Sequence, residues 1–292
     1  MNKKDSLLAA LVLLVWGVNF FFMKVALTEI SPMVLGLLRF ALLLFPALFF
    51  IKRPAVKWYW LAAYGFTISF MQFGLTFSAL AIGLPTGLTA LLLQAQVFFT
   101  VLIASILWHE PVKPNNLAAM LIAAAGLTLI GIGQYKGSMP MLSVVLMLLA
   151  ALSWAIGNIV VKKIGRINAL SLVVWGNVVT IIPFTLCALW LHGAKGVAQQ
   201  ISAMSWRVWD ALFFITYLSS LFGYSVWGSL LSRYPAGKIT PLALFVPVVA
   251  LLLGWLVLHE PLNLWHWIGV FTVMVALLVQ VFGTKLFTRN ST

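Results

Sequence analysis

The chain has 292 residues, of which 63% are hydrophobic and 8% charged, and its net charge is +13. Soluble domains are about a quarter charged, so this composition excludes a soluble globular domain and points to an integral membrane protein. In a soluble chain the excess of Lys and Arg would suggest nucleic acid. Here no nucleic-acid partner is expected, because basic residues in short loops set the orientation of membrane helices.

Ten apolar stretches are predicted as membrane-crossing helices: 6–27, 33–51, 58–80, 86–107, 116–133, 142–161, 170–191, 207–231, 239–258 and 264–287. Each is close to the roughly twenty residues that span a bilayer. The first resembles a secretory leader, but no small-residue cleavage site follows it, so it reads as a retained helix. Most connections are short and rich in Gly, Pro, Asn or charge. The longest, 192–206, is expected to hold a short interfacial helix. The single cysteine, Cys187, lies inside an apolar run and alone can form neither an intramolecular disulfide nor a metal cluster.

One pattern occurs twice. Pro85, Gly87, His109, Glu110 and Pro111 recur as Pro235, Gly237, His259, Glu260 and Pro261, each 150 positions later. A fixed-offset repeat in an apolar chain signals two copies of one membrane unit, here 1–137 and 138–292. Five spans per copy is odd, so the second copy is inverted relative to the first. The fold class is therefore an all-α membrane protein of ten transmembrane helices in two inverted five-helix repeats. With the N-terminus in the cytoplasm, thirteen of the eighteen Lys and Arg fall on the cytoplasmic side, three outside and two within spans. Both termini are thus expected in the cytoplasm. Cysteine labelling at Lys113 and at Lys136 should find them on opposite sides of the membrane. Labelling from one side only would rule out ten spans.

Polar residues in lipid are costly unless they face protein or water, so stripes of them mark a candidate site. Trp16 and Asn19 share a stripe on the first span, and Trp154 and Asn158 share one on the sixth. Gln72 lies with Ser69 and Thr76 on the third, and Gln96 with Thr86, Thr89 and Thr100 on the fourth. Tyr217, Ser220, Tyr224 and Trp227 follow helical spacing on the eighth. Gln94 falls about 200° from Gln96 and is ranked lower. Each hydroxyl or amide can equally be read as glue between helices. Pro46, Pro183 and Pro247 lie within spans and are candidate hinges. Ala119, Ala123, Gly126 and Gly133 share a face of the fifth span and allow close approach, within the chain or between protomers.

The acidic residues Asp5, Glu29, Glu110, Asp210 and Glu260 lie at termini, loops or span ends. Lys24 and Arg39 are placed near the outer ends of their spans, where snorkelling or pairing with Glu29 accounts for them. The HEPV and HEPL turns lack the second histidine of HExxH, and no GxSxG, Walker or dinucleotide pattern is present. No metal, cofactor or catalytic constellation is therefore expected, and no enzyme activity.

The segments WGVNFFFMK (Trp16–Lys24), LRF (Leu38–Phe40), WAIGNIVVKK (Trp154–Lys163), the Gly-Pro turn before the fourth span and the HEP loops resemble the EamA-type exporters of the drug/metabolite transporter superfamily. The resemblance covers essentially the whole chain. QAQVFFT (Gln94–Thr100) and YGFTISFMQF (Tyr64–Phe73) look most like its exporters of cysteine and O-acetylserine. It implies a bacterial inner-membrane protein that exports amino acids or related metabolites by alternating access through a central cavity. The motifs specify substrate weakly. Other metabolites, such as aromatic amino acids, nucleosides or drugs, stay open, as do a passive channel and the oligomeric state. The absence of a mid-membrane carboxylate favours a small neutral or zwitterionic substrate, and transport not coupled through a buried acid.

Overall fold

The computed structural model describes residues 1–109, 112, 114–135, 140–165, 167–234 and 239–287. Glu110, Pro111, Pro235 and Gly237 of the repeated turns lie outside the described residues, as do the basic positions Lys113, Lys136, Arg166, Lys238 and Arg289.

An apolar chain in lipid must satisfy every backbone N–H and C=O internally, which leaves helices or a closed barrel. Among the described residues every regular element is helical. Helix α1 covers Lys3–Ala26 and starts where the Asn2 side chain accepts from Asp5 N. Helix α2, Pro32–Phe50, starts with proline in its first turn, where the missing N–H costs nothing. The third stretch is composite. Helix α3, Trp58–Tyr64, passes into a π segment, Gly65–Met71, and returns as α4, Gln72–Ala81. Then come α5, Thr86–Leu93, and α6, Ala95–Trp108, separated by a turn at Gln94. Helices α7, Pro114–Tyr135, and α8, Met141–Ile164, follow.

The second part of the chain is helical as well. Helix α9, Ala169–Ser202, is continuous through Pro183 and breaks at Gly193, where φ is 65°. The helical turns beyond the break occupy the expected 192–206 connection, and Gln200 Oε1 there accepts from Ser31 N at 2.8 Å. Helix α10, Trp206–Phe213, enters a second π segment, Phe214–Phe222, and emerges as α11, Gly223–Arg233. A 3-10 turn, Thr240–Leu244, precedes α12, Phe245–Leu256, and α13, Leu264–Phe287, ends the described chain. Pro247 falls in the first turn of α12, not at a mid-helix kink, because the α-helix begins only after the 3-10 turn. His109 and His259 both adopt left-handed backbone, with φ of 53° and 49°.

Among the described residues seven helical stretches are long and apolar enough to cross a membrane, and those over Pro114–Ile130 and Leu242–Leu256 are shorter. This is a multi-pass membrane protein. Its periphery is apolar: Trp190 is 83% exposed, and Phe45, Phe49, Phe50 and Phe271 also point outward. In water such a surface would drive aggregation; a bilayer solvates it.

The helices pack in pairs that join early and late parts of the chain: α7 on α13, α2 on α9, α1 on α12, α5 on α12, and α4 and α6 on α8. The small residues of α7 serve the first of these. Ala119 and Ala123 are buried, and a Cβ on Gly126 would lie 2.7 Å from Val273 Cγ2. The close approach is thus within the chain.

Candidate functional site

The predicted polar residues fall into separate groups. On the α6–α8 contact, Asn158 Nδ2 donates to Gln96 Oε1 at 2.8 Å and to Thr100 Oγ1 at 3.1 Å. Thr100 Oγ1 in turn donates to the Gln96 carbonyl at 2.6 Å. The two amides expected to face a common interior do meet, and they join helices far apart in sequence.

A second group gathers around the second π segment, Phe214–Phe222, labelled π2, with Gly65–Met71 as π1. Trp16 Nε1 donates to the Ser219 carbonyl at 3.0 Å, and its ring meets those of Trp227 and Tyr224 at centroid distances of 5.1 and 5.7 Å. Tyr217 donates to the Leu42 carbonyl at 3.1 Å. Ser220 Oγ donates to the Ile215 carbonyl at 3.0 Å and accepts from Arg39 Nη2 at 3.1 Å. A π-helix carries one extra residue per turn and leaves carbonyls off the regular ladder, so side chains can bond them. Ser220 and Trp16 do this here. The counterpart is seen at π1, where Ser153 Oγ donates to the Thr67 carbonyl at 2.9 Å and Thr180 Oγ1 to the Gly65 carbonyl at 3.0 Å.

The remaining predicted residues stay more isolated. Gln72, first residue of α4, donates from Nε2 to Thr76 Oγ1 at 3.3 Å, and both are buried on their own helix. Asn19 Nδ2 reaches Met23 Sδ at 3.7 Å, while its Oδ1 is buried without a partner. Trp154 packs against the main apolar core. Pro46 and Pro183 sit inside helices that run on past them. Among the described residues no hydrogen bond or ring contact joins the Gln96–Asn158 pair to the π2 group.

Two expectations need correction. Arg39 is not at a wet span end and does not pair with Glu29. It is 2% exposed, and Glu29 instead accepts from Ser205 N at 2.8 Å and Ser205 Oγ at 2.6 Å. Those bonds hold the Glu29 carboxyl below its ordinary range. Lys24 likewise avoids Glu29 and donates to the Leu80 carbonyl at 2.6 Å. The physical reason is helix rotation: Arg39 sits on the face of α2 turned towards π2 and α4, and length along a span does not reveal that face.

Sequence reasoning also missed a role for the second HEP turn. Both carboxylate oxygens of Glu260 accept from Thr86 N at 2.9 Å, and Oε2 accepts from Thr86 Oγ1 at 2.9 Å. The acid therefore caps the N-terminus of α5 from a loop late in the chain, where the helix dipole favours negative charge. Burial raises the Glu260 carboxyl above its ordinary range, against the Thr86 bonds and the Lys24 charge, which pull it down. The signal was present, since the glutamate is one of the repeated marks.

Comparison with known proteins follows the same lines. The EamA-like transporter family model matches residues 4–132 and 141–282. A protein of Salmonella typhimurium called a probable amino-acid metabolite efflux pump is 39% identical over 291 residues, covering 98% of this chain and 97% of its own. A protein of Escherichia coli K12 with the same name is 39% identical over 290 residues, with the same coverage. A solved crystal structure aligns over 100% of both chains with a TM-score of 0.62 at 17% identity, which speaks to the fold alone. These matches make the protein a transporter and not an enzyme, and the chain belongs to the EamA-like transporter family.

Proposed function

We propose that this protein exports small amino-acid-type metabolites across a bacterial inner membrane by alternating access. The observation that carries the reading is the Gln96–Asn158 pair. It places two amides at the junction of helices from residues 1–137 and residues 138–292. Amides and hydroxyls suit a solute bound by hydrogen bonds, and Trp16, Tyr224 and Trp227 form a separate aromatic group that suits its apolar part. The names of the Salmonella and E. coli relatives support both the direction and the substrate class.

Inverted repeats of five spans each are the architecture that goes with this mechanism. Three features support them. π segments interrupt two corresponding stretches, Gly65–Met71 and Phe214–Phe222. Left-handed histidines occupy corresponding turns at His109 and His259. Asn115 Nδ2 donates to the Gln280 carbonyl at 3.3 Å, and Asn263 Nδ2 to the Gly133 carbonyl at 2.8 Å. The last two bonds tie the two ends of the α7–α13 contact in a similar way. The basic residues support cytoplasmic termini.

Purified protein in liposomes should show saturable counterflow of cysteine, O-acetylserine or a larger amino acid, persisting when pH gradient and voltage are collapsed. Flux that rises without saturation and shows no counterflow would identify a channel. Uphill accumulation driven by a proton gradient alone would refute uncoupled export.

A further inference from the structure

Arg39 is left unexplained by helix packing. It lies inside α2 and is the largest of the fully buried side chains among the described residues. A guanidinium stays charged under physiological conditions and presents five N–H donors. Only Nη2 has a partner, Ser220 Oγ at 3.1 Å, while Nε and Nη1 are buried with none. One face lies over the Phe73 ring at 4.2 Å, and the Phe40 ring is 5.8 Å away. Ring faces stabilise a cation partly, but they leave its in-plane donors unmet.

A buried charge without a counter-charge is among the most costly arrangements in a protein. Every carboxylate among the described residues is committed elsewhere. Asp5 pairs with Arg233 at 2.8 Å, Glu29 is held by Ser205, Glu260 by Thr86, and Asp210 is exposed on α10. The Tyr224 phenol, in the neighbouring aromatic group, is neutral at physiological pH and offers no standing negative charge. The site thus holds a fixed cation and free donors on two of three nitrogens. Nη2 also keeps a second hydrogen, so a bidentate contact is available along the edge that Ser220 leaves free.

We propose that Arg39 is the anchor for the carboxylate of the transported metabolite. The proposal rests on the exporter reading and names the group by which its substrate is recognised. Ser220 fixes the guanidinium plane. The neighbouring carbonyl, that of Ser219, holds Trp16, so the Trp16–Tyr224–Trp227 rings stand beside the anchor for the rest of the solute. An amino acid also carries an ammonium, which needs an acceptor. Asn19 Oδ1 on α1, which packs on π2, is a buried acceptor without a partner. Binding a carboxylate would turn a buried cation with unmet donors into a charge-assisted pair.

The test is counterflow of labelled O-acetylserine or phenylalanine in liposomes, competed by the unlabelled amino acid, its carboxamide, or inorganic phosphate. In wild-type protein the carboxamide should compete about tenfold or more weakly than the acid, the scale of a lost charge-assisted contact. Arg39→Gln should lose that discrimination, and Arg39→Lys should recover part of it. Equal competition by acid and carboxamide in wild type would overturn the anchor while leaving the exporter intact, and this arm does not depend on a variant folding. Phosphate competing as well as the amino acid would overturn the assignment to a carboxylate. No wild-type counterflow of any amino acid would sink the exporter reading and the anchor with it.

Discussion

Replacing Asn158 by Leu, or Gln96 by Leu, is expected to cut transport at least about tenfold while the protein still folds and inserts. The argument is one of magnitudes. An interhelical hydrogen bond within a membrane contributes on average only about 0.6 kcal/mol, because the separated helices find other partners. Losing the 2.8 Å bond between these amides therefore removes little stability. A solute that displaces that bond must instead find both amides waiting, and an apolar side chain leaves its polar groups unmet, which costs more. Transport and thermal stability measured on the same preparations separate the two. Wild-type flux from both variants would return the pair to a role as helix glue.

The largest effect on folding is expected at the crossing of π1 and α9. A Cβ on Gly65 would lie 2.2 Å from the Gly176 carbonyl oxygen and 2.8 Å from Thr180 Oγ1. A Cβ on Gly176 would lie 2.4 Å from Tyr64 Cδ1. The obstacle at Gly65 is backbone, which has no rotamer to escape into. Gly65→Ala must push the helices apart, stretching the 3.0 Å bond from Thr180 to the Gly65 carbonyl, at about 1–3 kcal/mol. Gly65→Leu is expected not to accumulate as folded protein. Gly228→Ala is the control, since nothing lies within 4 Å of a Cβ there. Melting in detergent should rank Gly228→Ala with wild type and Gly65→Ala well below. Equal melting of both would mean that this crossing tolerates separation at no cost.

Helix positions were legible in the sequence because the bilayer imposes one length on apolar runs, and the predicted 142–161 and 264–287 match α8 and α13 closely. The inward polar stripes of Gln96 and Asn158 were legible from helical spacing, but their hydrogen bond to each other was not, since it joins helices 62 positions apart. The partners of Arg39 and Glu260 were not. Arg39 was judged by its distance along the span, whereas its environment depends on rotation about the helix axis, fixed by contacts with π2 and α4. Glu260 finds Thr86 across 174 positions, and no local pattern encodes a contact of that separation. The π segments were also invisible, because Gly65–Met71 and Phe214–Phe222 keep the apolar composition of ordinary helix.

Those π segments bear on how such a chain tolerates insertions and deletions. A one-residue deletion inside an α-helical span turns everything beyond it by about 100° and takes the downstream face out of register. A π turn already holds the extra residue, as a fossil insertion would. Deleting a residue from Gly65–Met71 would relax the span to plain α-helix and keep its ends in place, yet move the Thr67 and Gly65 carbonyls out of reach of Ser153 and Thr180. The length of these two stretches is therefore constrained by what they bind rather than by what they span, and divergence within the family should leave their residue count more fixed than their residue identity.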